Sequence, residues 1–186
     1  MLEKIIEIDK NSFLFLYNLG SEQFDSFWLI ITQKLSWTPF FIFILFLFQK
    51  KLGWKNLGFF LLFLGALILI SDQTASFFKN HFHRLRPYFD TSFVDVIRTL
   101  KHEPGRYSFF SGHATNSMAT ATFGFLILKN YYNRPYWLFL FPIIFAYSRI
   151  YLGLHYPLDI LTGYAFGATY GFVFYKLYSK YILKLN

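Results

Sequence analysis

Two stretches of this chain, Phe40 to Phe48 and Leu57 to Ile70, run without a charged residue. Neither keeps the polar stripe that a surface helix of a soluble protein needs. This narrows the possible folds more than any other feature, because 186 residues that are 55% hydrophobic and 24% aromatic carry more apolar surface than one soluble core of that size can hide. A bilayer can hide it. Five stretches have lengths near the ~20 residues that a bilayer requires: 24–49, 56–79, 112–129, 136–153 and 158–180. The first is irregular: Lys34 lies inside it and Pro39 interrupts helical hydrogen bonding, so residues 24–35 are alternatively an interfacial segment before a shorter, tilted span. Residues 2–19 mix Ile5, Ile6, Phe13, Leu16 and Tyr17 with charges and read as an amphipathic interfacial helix. The expected fold is all-α: one membrane-embedded domain over 1–186, a polytopic bundle of five, at most six, helices plus the N-terminal interfacial helix. Acidic Glu3, Glu7 and Asp9 argue against a signal peptide, so residues 1–20 are expected in the mature protein.

The net charge of +8 would suggest nucleic acid in a soluble protein, but here the basic residues flank apolar runs, and no nucleic-acid partner is expected. Alternating spans collect Lys50, Lys51, Lys55, Lys129, Arg134, Lys176, Lys180 and Lys184 on one side with no acid among them, which marks that side as cytoplasmic. The long connection 80–111 then faces outward. It is nevertheless basic, with Arg84, Arg86, Arg98, Lys101 and Arg106, an excess that calls for an anionic ligand. The chain has no cysteine, so neither a disulfide nor a thiolate metal site can form. His81 and His83 form an HxH pair without further ligands at suitable spacing, and no metal is expected. Asp72, inside a span, is a functional candidate by default or a partner for Lys34 or water. Arg98, Lys101, His102 and Arg106 either meet a second phosphate or head group or are solvated.

The same topology brings three polar clusters to one membrane face: Lys79 to Pro87, Ser111 to His113, and Ser148 to Asp159. Lys79-(six residues)-Arg86-Pro87, Ser111-Gly112-His113 and Ser148-Arg149-(five residues)-His155-(three residues)-Asp159 together resemble the three-part signature of the type 2 phosphatidic acid phosphatase superfamily. One position departs from it: Phe110 stands where that family usually has proline.

The resemblance implies a lipid phosphatase working through a phosphohistidine without a cofactor. His155 would be the nucleophile, aimed by Asp159 near the N-terminus of the last helix. His113 would be general acid and then base. Lys79, Arg86 and Arg149, with the Ser111 hydroxyl and the backbone of Gly112, would bind the phosphate. An imidazole suits the task because its ordinary pKa of about 6.5 leaves much of it neutral near pH 7. Undecaprenyl diphosphate is the first-choice substrate, with phosphatidylglycerol phosphate, phosphatidic acid and lipid A phosphates as alternatives. A non-catalytic lipid phosphate binding or transport protein is the reading from another class. The expected location is a bacterial inner membrane, with the site facing the periplasm or exterior; the oligomeric state is not legible.

Overall fold

A computed structural model describes residues 1–98 and 105–183; Lys101, His102 and Lys184 lie outside them. The described residues form six α-helices: α1 Leu2–Asn18, α2 Asp25–Ile31, α3 Thr38–Phe82, α4 Gly112–Leu128, α5 Leu140–Tyr151 and α6 Pro157–Tyr181. Among the described residues an isolated bridge, Leu85 with Tyr107, is the one β-type pairing.

The apolar stretch around α3 is 49 residues long, more than twice what one crossing needs. It does not run straight. Gly53 adopts φ 71°, outside helical geometry, and breaks α3 into arms 38–52 and 54–82. Phe48 and Phe60 would be about 18 Å apart along an unbroken helix, yet their rings stack at 4.1 Å. The chain therefore doubles back at Gly53, so two of the expected spans are the arms of one folded helix. The expectation of a helix running from residue 24 is corrected: α2 ends at Ile31, and α3 starts only at Thr38 with Pro39 in its first turn, where a missing N–H costs nothing.

α4 and α6 form the centre of the bundle. Gly163, Gly167 and Gly171 line up on α6, and a Cβ at Gly163 would come 2.8 Å from Ser111 O and at Gly171 2.6 Å from Ala119 O. At Gly167 it would run into Thr115 O. The absent side chains are what let the two backbones approach this closely. Around the pair, Phe48, Phe60, Phe123, Ile127 and Tyr178 pack at the end carrying the basic residues, where Lys51 lies over the Tyr132 ring at 5.3 Å. At the opposite end Phe13 and Tyr17 of α1 pack with Phe93, Ile150 and Tyr156. Ile5 and Ile6 of α1 remain exposed, as do Leu62 and Leu69 of α3, Ile143 of α5, and Leu161 and Phe172 of α6.

Candidate functional site

The buried polar residues gather where α4 and α6 begin. Ser111 caps α4, its hydroxyl oxygen accepting from Ala114 N at 3.3 Å, and its own N–H donates to Asp159 O at 3.1 Å. That bond ties the start of α4 to the start of α6, so His113 and His155 belong to the same end of the bundle. Pro157 opens α6, and Asp159 sits in its first turn, where Oδ2 accepts from Tyr156 N at 3.0 Å. A carboxylate there is favoured by the helix dipole as well as by that bond.

His155 is fully buried in the loop between α5 and α6. Its Nε2 lies 3.3 Å from Arg86 Nη1, and its Nδ1 lies 3.5 Å from Asp159 Oδ2. Burial lowers the Arg86 pKa to about 10, which still leaves the guanidinium protonated at neutral pH. A guanidinium only donates, so Nε2 must hold a lone pair and the ring proton falls on Nδ1, facing the carboxylate. Burial, reinforced by the nearby charges of Arg86, Arg149 and Lys79, pushes the imidazole pKa well below its ordinary value. The result is a neutral imidazole with one nitrogen held and the other available to an electrophile, which is what nucleophilic attack requires.

Arg86 also donates to Leu154 O at 3.0 Å, and Arg149 is held by Thr32 at 2.5 Å. Lys79 reaches the start of α4: a Cβ on Gly112 would lie 3.8 Å from its Nζ, at ordinary contact distance. His113 packs against the Phe145 ring, with centroids 5.3 Å apart. A cavity of about 130 Å³ opens beside Lys79, Gly112 and His113, bounded further by Asp72, Asn116 and Lys34. All eight residues singled out for phosphate chemistry (Lys79, Arg86, Ser111, Gly112, His113, Arg149, His155 and Asp159) thus belong to one end of the bundle.

Sequence reasoning missed a shell behind them. Arg84 donates to Asp159 Oδ1 at 2.9 Å and to Asp9 Oδ2 at 2.6 Å, while its guanidinium lies 4.0 Å from the Tyr156 ring centroid. Asp9 in turn accepts from Leu158 N at 2.8 Å. Thus α1 is tied to the histidine's acidic partner. Beside it, Asp90 takes Lys10 at 2.7 Å and the Tyr156 hydroxyl at 2.8 Å; burial works to raise its pKa, but these bonds outweigh that and hold it well below the usual carboxylate range. Thr32 and Asn116 carried no sequence signal at all.

The expectation that the basic connection answers to an external anion is corrected in part. The anions nearest Arg84 are internal carboxylates, and Arg98 meets the carboxylate of Asp25 at 3.1 Å between the rings of Tyr17 and Tyr151. Asp72 accepts from Asn116 at 2.6 Å, and the alternative pairing with Lys34 is not formed. His81 and His83 face the rings of Phe77 and Tyr107. Phe110, in place of proline, is fully buried and stacks on Phe166 at 4.7 Å. Aromatic packing holds that turn.

The model of the PAP2 superfamily matches residues 57–182. The chain is 37% identical to the lipid A 4'-phosphatase of Porphyromonas gingivalis, over 95% of this chain and 75% of that protein. It is 31% identical to a protein of the same name from Bacteroides thetaiotaomicron, over 100% of this chain and 84% of that one. Among solved structures, a PAP2 type phosphatidylglycerolphosphate phosphatase from Bacillus subtilis superposes with a TM-score of 0.70 at 19% identity, covering 96% of this chain and 88% of that one, a likeness of fold.

Proposed function

The chain belongs to the PAP2 superfamily and is a membrane lipid phosphatase, and we propose that its substrate is a phosphate monoester on the sugar of a lipid A-type glycolipid. Relatives matched along the whole chain carry that activity in their names, so undecaprenyl diphosphate gives way as first choice. The observation that carries the chemistry is the fixed position of His155, between Arg86 at one nitrogen and Asp159 at the other.

In the proposed reaction the His155 Nε2 lone pair attacks phosphorus. The P–N bond forms as the bond to the lipid oxygen breaks, and His113 delivers a proton to that oxygen. Water then attacks the phosphohistidine, His113 takes its proton, the P–N bond breaks and inorganic phosphate leaves. Asp159 stabilises the Nδ1 proton throughout. Lys79, Arg86 and Arg149 neutralise the equatorial oxygens, and the Ser111 O–H with the free N–H groups at the start of α4 completes the anion site. Three fixed cations perform the charge neutralisation for which other phosphatases use metal, so the reaction is expected to proceed without one.

In this reading the arms of α3 together with α4, α5 and α6 are five crossings of one membrane domain, α1 lies in the interface, and the lysine-rich end is cytoplasmic. The site then faces the periplasm of a bacterial inner membrane. Phosphate release by the purified protein from lipid A, undecaprenyl diphosphate, phosphatidylglycerol phosphate and phosphatidic acid, with and without EDTA, tests the reading. The expected result is fastest release from lipid A, unaffected by EDTA, and loss of at least about 10³-fold in His155→Ala. Full activity of that variant overturns the nucleophile assignment, and a faster polyprenyl reaction overturns the substrate.

A further inference from the structure

Beside the phosphate-handling residues the cavity carries polar groups for which phosphoryl transfer has no use. Asp72 lies ten residues, about 15 Å of helix, before the end of α3, in the apolar arm, where an ionisable group is costly unless it serves something. It has no ion pair within 4.0 Å among the described residues. Its observed hydrogen bond is from Asn116 Nδ2, at 2.6 Å. That bond commits the amide nitrogen and leaves Asn116 Oδ1 buried without a partner. Two acceptors thus stand at the cavity's edge: the exposed Asp72 carboxylate, which lines it, and the adjoining Asn116 Oδ1, which has no donor.

A phosphate cannot be that donor, because a carboxylate repels it. The carboxylate is nevertheless close to the phosphate position: a Cβ on Gly112 would be 3.7 Å from Asp72 Oδ1 and 3.8 Å from Lys79 Nζ. Whatever meets Asp72 is thus attached near the phosphate. On the far side, Lys34, Asn116 and Phe145 also line a second hollow of about 180 Å³. This shares Phe41, Ile68, Thr120 and Phe141 with an apolar hollow of about 230 Å³ between the arms of α3 and helix α4. A lipid chain lying there with its phosphate at Lys79 carries its connecting atoms past Asp72 and Asn116.

We propose that Asp72 and Asn116 form a donor-reading subsite that accepts hydrogen bonds from a hydroxyl or amide N–H borne within a few bonds of the phosphate, as on a phosphorylated sugar, and so disfavours esters lacking one. A polyprenyl or diacylglycerol phosphate filling the cavity brings a donor to neither acceptor. Sites built to bond a substrate donor discriminate strongly against analogues without it. The inference rests on the reading that the phosphate is cleaved beside Lys79 and His113.

The test measures kcat/KM of wild type, Asn116→Leu and Asp72→Asn on two donor-bearing esters, lipid A 4'-phosphate and phosphatidylglycerol phosphate, and two donor-free ones, undecaprenyl phosphate and phosphatidic acid. Asn116→Leu is expected to lower kcat/KM on both donor-bearing esters by about 10–100-fold while sparing the donor-free ones. Asp72→Asn, which keeps size and one acceptor, is expected to cause a smaller loss of the same preference. Equal losses on all four esters, or an unchanged preference in folded variants, overturn the proposal. A wild type that cleaves the donor-free esters as fast as the donor-bearing ones also overturns it, whereas the order of the sugar ester against phosphatidylglycerol phosphate bears on the substrate reading alone, so the two can fail separately.

Discussion

Arg84 is where a single residue does more than its position in sequence announces. It bridges Asp159 and Asp9 with separate nitrogens, at 2.9 and 2.6 Å, a fork that a lysine cannot reproduce. We expect Arg84→Lys to lower kcat about tenfold with KM nearly unchanged, because aim rather than binding is lost. Steady-state kinetics read that split, and Asp9→Asn should act in the same direction more weakly. His155 carries a pH signature. Its pKa in the folded protein is well below the unfolded value of about 6.5, so the unfolded chain takes up a proton first as pH falls. The stability it contributes is complete above about pH 6.5 and is lost as pH drops toward the folded value. Thermal unfolding of detergent-solubilised protein between pH 7.5 and 5 should show a shallower pH slope for His155→Asn than for wild type.

At the scale of elements, two glycine features do different work. Gly53 supplies a positive φ that a side chain resists, and it converts one long apolar helix into two antiparallel arms. The stripe Gly163, Gly167, Gly171 supplies proximity, and Ser111 to Asp159 is bonded because α4 and α6 touch there. Gly167→Ala would press a methyl group into the Thr115 carbonyl and the Ala119 backbone. It is expected to cost about 1–3 kcal/mol and to lower the unfolding temperature while leaving Gly58→Ala, whose added Cβ would meet nothing within 4 Å, unaffected by packing. The four-residue spacing of that stripe was legible in the sequence as a helix contact and went unread. The kink at Gly53 was legible only as a polar break, because nothing local distinguishes a loop from a helix that folds on itself.

For the molecule as a whole, the absence of cysteine makes topology directly measurable. Single cysteines in place of exposed Lys55 and Arg106 are expected to react with a membrane-impermeant maleimide from opposite sides of sealed vesicles; reaction from the same side would contradict the five crossings. The apolar runs, the lysine asymmetry and the polar residues at span ends were readable along the chain because bilayer thickness and charge placement act locally on sequence. So were the eight residues proposed for the phosphate site, whose types and spacings the proposed chemistry demands. What the linear order could not contain was the pairing of partners distant along it: Asp9 with Arg84, Thr32 with Arg149, Asn116 with Asp72. Those contacts depend on how α1, α2 and the arms of α3 dock on α4, α5 and α6. Side-chain packing decides that docking only once the whole bundle has closed, whereas burial in a membrane selects helices one segment at a time.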